Sequence, residues 1–131
     1  MSDCKDELPK NKEPSIRVLA MPKDANPTGD IFGGWIMSNV DTAGAVAAMK
    51  RSGGRVATVA VNNFEFKKPV CVGDLVSCYT EVLKVGRTSM TIKVTVFAER
   101  DSREKCVIKV TEAIIVYVAL DENRKPRPVD D

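Results

Sequence analysis

The chain has 131 residues, 44% hydrophobic and 29% charged, which fits one globular domain with its own core and excludes a disordered chain. Twenty Lys and Arg against eighteen Asp and Glu leave a formal charge of +2, so no global field draws the protein onto nucleic acid or a membrane surface. Histidine is absent, which excludes Ser-His-Asp and Cys-His machinery, His-bearing metal sites and histidine-dependent dehydratases.

Residues 1–14 are polar and read as a flexible N-terminal segment, with no apolar run that would make a secretion signal. SIRVLA (15–20) is a short strand candidate leading into MPKDANPTGD, whose two prolines, Asn and Gly make it a structured loop. GGWIMSNVDTAGAVAAMK (33–50) has helical length and composition, about four to five turns or roughly 25 Å. Lys50, Arg51 and the Gly53-Gly54 pair supply the charge and the glycines of a helix end.

The period then changes from helical to two. RVATVAVNNFEF (55–66) reads as a strand running on into KKPVCVGD, with a turn near Gly73-Asp74. LVSCYTEVLKV (75–85) is the next strand, and SMTIKVTVFAE (89–99) alternates with Met90, Ile92, Val94, Val96 and Ala98 on one face. CVIKVTEAIIVYVAL (106–120) is a long last strand, and residues 121–131 form a charged, proline-bearing tail that reads as flexible. Strand, loop, long helix and four strands in a meander predict an α+β domain over 15–120, an antiparallel sheet against one helix. Cys4, Cys71, Cys78 and Cys106 show no CxxC spacing and read as four reduced thiols in a cytoplasmic protein, with no metal site.

The helix is apolar or small nearly all round, so it is expected to be buried. A membrane span is excluded by its length and by Asp41 near its middle. Asp41 has no cation within one helical turn. Unless donors reach it from elsewhere, such a carboxylate is held above its ordinary pKa, which makes it a candidate general base or nucleophile. The alternative is a carboxylate that faces solvent or caps a loop. Gly33 and Gly34 open the helix, where first-turn N–H groups lack internal partners and the helix dipole favours negative charge. That arrangement suits an oxyanion, or merely tight packing. Asp41 lies roughly 11 Å further along by helical rise, an awkward span for one subunit. Lys67, Lys68, Arg51, Arg55 and the KVGRTS turn (84–89) are the basic positions; the turn could hold a phosphate or be a plain hairpin with solvated charges. It is not a P-loop.

Together these segments resemble a known family. AMPKDANPTGDIFGGWIMSNVDTAGAVAAM (20–49), RVATVAVNNFEFKKPVCVGDLV (55–76) and LKVGRTSMTIKVTV (83–96) closely resemble the YciA-like acyl-CoA thioesterases, over about residues 16–120. The resemblance implies a hotdog fold, an antiparallel sheet wrapped around one central helix. It also implies a homo-oligomer whose active unit is a dimer, three dimers making a hexamer, with sites between subunits. Carried over, Asp41 matches the catalytic carboxylate and Asn26 the catalytic asparagine from the partner protomer, while Gly33 and Gly34 match the helix end that polarises the thioester carbonyl. Arg55, Thr58, Val59, Lys67, Lys68, Pro69, Gly86, Arg87, Thr88 and Ser89 match segments that contact coenzyme A.

The expected activity is hydrolysis of acyl-CoA to a free acid and coenzyme A, without metal or prosthetic group, in the cytoplasm, with no nucleic-acid or membrane partner. The alternative is a CoA- or acyl-CoA-binding sensor without turnover. A hotdog hydratase is disfavoured by the missing histidine, and a nucleic-acid-binding domain by the low charge and scattered aromatics.

Overall fold

The computed structural model describes residues 4–100, 103 and 105–130. The chain runs β1 (Ile16–Leu19), a 3-10 turn (Pro22–Asp24), α1 (Gly33–Ser52), β2 (Val56–Asn62), β3 (Leu75–Val85), β4 (Ser89–Arg100) and β5 (Cys106–Ala119). The expected α+β architecture is observed: one five-stranded antiparallel sheet packs against α1. Among the described residues no helix is long and apolar enough to cross a membrane.

The strand order β1-β3-β4-β5-β2 corrects the expected meander. β3, β4 and β5 do neighbour one another in turn, but β2 pairs with β5 and leaves β3 to β1. The cause is the connection after β2. Residues 63–74 are no hairpin turn, and a link of that length lets β3 sit apart from β2 in a curved sheet, with β4 and β5 between them. The segment predicted to extend the strand beyond Asn62 forms this link.

Alternation fixes which face packs on the helix. Met90, Ile92, Val94, Val96 and Ala98 of β4 are fully buried, as are Ile115 and Tyr117 of β5. From α1 the core receives Ile36, Val40, Ala43, Gly44 and Ala48. The expectation of a helix buried all round is met on one side only: Met37 and Met49 remain 44% and 49% exposed. A single sheet covers one stripe of a helix, and the rest of this apolar surface faces outward in one chain. Gly53 ends α1 at φ 76°, its N–H bonded to the Met49 carbonyl at 2.8 Å.

Both termini depart from the flexible segments expected. The N-terminal residues 1–3 lie outside the described residues. Residues 4–14 run against the sheet: Asp6 N donates to the Val107 carbonyl, and Lys109 N donates to Asp6 Oδ2 at 2.8 Å, on the stretch of β5 that β2 does not reach. Cys4 is disulfide-bonded to Cys106, so the expected four reduced thiols become two, Cys71 and Cys78. Sequence spacing carried no trace of this pairing because its partners are 102 residues apart.

The C-terminal tail is also tied down. Asp121 organises a turn by accepting from Asn123 N and Lys125 N. Arg127 donates to the Ser52 carbonyl at 2.9 Å, answering a group that the helix end leaves open. Val129 inserts into the core at 5% exposure. Its N–H bonds the Arg87 carbonyl, so the tail also braces the turn between β3 and β4.

Candidate active site

Asp41 sits mid-way along α1 on the side facing β2 and β5, and donors do reach it. Thr58 Oγ1 donates to Asp41 Oδ1 at 2.7 Å. The Tyr117 hydroxyl donates to the Asp41 main-chain oxygen at 2.7 Å and stands 3.1 Å from Oδ1. Thr58 and Tyr117 are directly opposed in the β2–β5 register, so one cross-strand pair presents both hydroxyls to one carboxylate.

The register slips immediately after Thr58, between Thr58 and Ala60. A bulge of this kind inserts one residue, here Val59, and re-aims the side chains beyond it. In consequence Thr58 and Val61, which strict alternation would put on opposite faces, both face the helix side. Val59 points outward at 57% exposure on a strand that forms the sheet edge.

Beside Asp41 opens a cavity of about 390 Å³ lined by Gly34, Met37, Ser38, Val40, Asp41, Val61, Phe64 and Ile115. Its walls are mainly apolar; the chemistry is concentrated in one carboxylate and one helix end. Gly34 and Asp41 therefore share a cavity in spite of the two helical turns between them. Phe32 precedes the helix and caps nothing with its side chain. A Cβ on Gly34 would meet nothing within 4 Å, so the approach to the first-turn N–H groups is open there. Gly33 is different: a Cβ would come to 3.0 Å from the Phe66 ring, which lies over this helix end and packs on Phe64 at 4.9 Å between centroids. Gly34 thus faces the site, and Gly33 is the clearance for Phe66.

Asn26 is not part of this cluster within one chain. Its Oδ1 accepts from Thr28 N, Thr28 Oγ1 and Asp30 N at 3.0, 2.7 and 3.1 Å, which locks the loop before the helix. With the oxygen engaged, the side-chain NH2 is the group left to offer another molecule.

The segments expected to hold coenzyme A fall into two groups. Arg55, Gly86, Arg87, Thr88 and Ser89 gather at one end of the sheet: the Arg55 carbonyl accepts from Leu120 N, the Thr88 carbonyl from Ala119 N, and Ser89 opposes Val118. Gly86 N bonds the Ser89 carbonyl at 2.8 Å, closing the turn. Arg55 also lines a surface hollow of about 670 Å³ with Arg127 and residues of the tail turn. Lys67, Lys68 and Pro69 lie elsewhere. Lys67 N bonds the Val110 carbonyl, eight residues back along β5 and roughly 26 Å from the first group, and the Pro69 carbonyl accepts from Arg100, which opposes Cys106 further back still. Thr58 is drawn to the carboxylate, and Val59 is at the outer edge. One chain therefore does not assemble all the expected contacts around one ligand.

Sequence reasoning missed Tyr117. A tyrosine within an apolar strand reads as core, and burial does take it to 0% exposure. The contact emerges only in the fold: a Cβ on Gly44 would collide with the Tyr117 hydroxyl, and two ring carbons would lie 2.9 Å away. Burial, with the neighbouring Asp41 charge next, pushes the phenol above its ordinary range, so it remains a donor. Among the described residues no group of three or more His, Cys, Asp or Glu could hold a metal ion.

Comparison with known proteins identifies the family. The family profile of the thioesterase superfamily matches residues 28–105. The acyl-CoA thioester hydrolase YciA of Salmonella typhimurium is 47% identical over 116 residues, spanning 87% of each chain. A hexameric thioesterase from Yersinia pestis superposes with a TM-score of 0.88 at 45% identity, covering 95% of this chain and all of that one. A hexameric hotdog fold thioesterase of Campylobacter jejuni gives 0.84 at 45% identity, covering 88% and 89%.

Proposed function

The chain belongs to the thioesterase superfamily and has its hotdog fold, and from that premise we propose that it hydrolyses acyl-CoA thioesters to a free carboxylic acid and coenzyme A, with Asp41 as the reacting carboxylate. The observation that carries the proposal is the single cavity shared by Asp41 and the open helix end at Gly34. The thioester carbonyl oxygen, placed at Gly34, accepts from first-turn N–H groups, and the helix dipole favours the negative charge that develops there. Asp41 Oδ1 is engaged by Thr58 and Tyr117, which leaves Oδ2 for chemistry.

In the general-base form, Oδ2 takes a proton from water as the water oxygen bonds to the carbonyl carbon. The tetrahedral adduct then collapses, the C–S bond breaks, and the coenzyme A sulfur leaves as thiolate and regains a proton. In the nucleophilic form, Oδ2 itself attacks, the coenzyme A sulfur leaves as thiolate, and water opens the resulting mixed anhydride at the aspartyl carbonyl. A single turnover in ¹⁸O-water separates them, since only the second form puts label into the Asp41 side chain. Neither form requires a metal or prosthetic group; coenzyme A enters as part of the substrate.

The apolar walls contributed by Met37, Val61, Phe64 and Ile115 suit the acyl part of the substrate. The NH2 of Asn26 from a second copy orients the water or the carbonyl. The same pairing of two copies brings the Lys67, Lys68 and Pro69 group of one chain towards the Arg55 and Gly86–Ser89 group of another. Exposed Val59 and Val61 on the edge strand β2 support a dimer as the active unit, and three such dimers form a hexamer. A cytoplasmic setting goes with a coenzyme A substrate; the Cys4–Cys106 bridge pulls the other way.

The test is thiol release from acyl-CoAs of short to long chain, with wild type and Asp41→Ala side by side. Turnover by the wild type that collapses in the variant is expected. Binding of acyl-CoA without thiol release by the wild type would overturn the assignment in favour of a sensor.

A further inference from the structure

Tyr117 reaches Asp41 from β5, fully buried, and its geometry is more specific than filling space requires. A buried phenol needs one partner, and the main-chain oxygen of Asp41 would suffice at 2.7 Å. The hydroxyl instead sits where it also meets Oδ1 at 3.1 Å, on the oxygen that Thr58 holds at 2.7 Å. The two oxygens of a carboxylate point away from each other. Fixing Oδ1 towards Thr58 and Tyr117 therefore turns Oδ2 away from the sheet hydroxyls.

The room for this contact is made on the helix. Gly44 lies one turn beyond Asp41, and only the lack of a Cβ there lets the hydroxyl pass. A glycine inside a helix costs stability relative to alanine, so its place under the hydroxyl needs a reason. The phenol stays protonated because burial and the adjacent carboxylate both oppose its ionisation.

We propose that Tyr117 is a positioning residue for the hydrolysis: it holds Asp41 in the rotamer that presents Oδ2 to the cavity, and Gly44 is the clearance that allows it. The inference rests on the reading of Asp41 as the reacting carboxylate. A carboxylate without this anchor still faces substrate, but spends less time in the reactive orientation. The loss falls on kcat, and KM is spared because the Tyr117 side chain is fully buried behind Asp41.

The experiment compares purified, correctly assembled wild type, Tyr117→Phe, Thr58→Val, the double variant and Asp41→Ala in steady-state thioester hydrolysis. Tyr117→Phe is expected to lower kcat roughly tenfold, the scale of one hydrogen bond to a charged group, with KM within about twofold. The double variant loses less than the product of the single losses, because both hydroxyls hold one oxygen. Gly44→Ala, which keeps the phenol and only displaces it, gives the same kcat-specific loss. A Tyr117→Phe enzyme with wild-type kcat, or single losses that simply multiply in the double variant, overturns the proposal. The two readings fail separately: an inactive Asp41→Ala beside a fully active Tyr117→Phe removes only the role of Tyr117, whereas an active Asp41→Ala removes the reacting carboxylate itself.

Discussion

Gly44→Ala is the substitution for which helix propensity and tertiary packing predict opposite signs. In an isolated helix, alanine is better than glycine by about 1 kcal/mol. In this protein the new methyl group would overlap the Tyr117 hydroxyl, with the Cε2 and Cζ atoms of the ring 2.9 Å from it. Neither side has slack: Gly44 is buried on α1, and Tyr117 is at 0% exposure in β5. Overpacking of a core costs about 1–3 kcal/mol. A hydroxyl pushed off Asp41 while still buried costs about 1–3 kcal/mol more. Set against the propensity gain, the net effect is destabilisation by about 3 kcal/mol, or about 10 °C in the unfolding midpoint for a chain of this length. Urea and thermal unfolding of wild type and variant, at equal protomer concentration because assembly contributes to stability, measure it. A variant as stable as the wild type, or more stable, would refute the reasoning: it would mean that the phenol does not lie against the helix at residue 44.

The same geometry predicts four further outcomes. Mixing Asn26→Ala and Asp41→Ala chains, each close to inactive alone, regenerates intact sites where one chain supplies each residue; random assortment into dimers gives about a quarter of wild-type activity, whereas no recovery places both residues of a site on one chain. Denatured but unreduced protein titrates two thiols, Cys71 and Cys78, against four after reduction; four without reduction would remove the Cys4–Cys106 bridge. In the native protein Cys78 resists alkylation even at about pH 10, because burial pushes its thiol up to about 12. Deleting residues 126–131 removes the buried Val129 and the Arg127 bond to the helix end, lowering stability by about 3 kcal/mol in denaturant unfolding; an unchanged midpoint would show that the tail does not dock.

Local pattern made most of the elements legible. The helix from Gly33 and the strands from Leu75 and Ser89 start where composition and period predicted, because each signal is confined to the segment that carries it. What was hidden depends on partners distant in sequence. The link over residues 63–74 reads as a strand that continues and then turns, and nothing within it announces that β2 will pair with β5. The tail reads as solvated because its charges outnumber its one anchor, yet Val129 and the carbonyl-seeking Arg127 are enough to dock it. The N-terminal segment is polar for a similar reason: it lies across a sheet already closed by its own core and contributes main-chain bonds and one cysteine.

The site divides along the same line. Asp41 was visible because a charge on an apolar helix is locally anomalous, and the Gly33-Gly34 pair because glycines at a helix start are. Thr58 was visible through family resemblance alone, and there as part of the coenzyme A surface; its bond to Asp41 depends on the bulge at Val59, a register feature that no reading of β2 by itself contains. Gly44 and Tyr117 each have an ordinary local explanation, a small residue in a packed helix and an aromatic in a buried strand. Only their juxtaposition shows that the first is small so that the second can reach a carboxylate. A catalytic group can thus be read from its own oddity, whereas the residues that aim it look like packing until the fold brings them into contact.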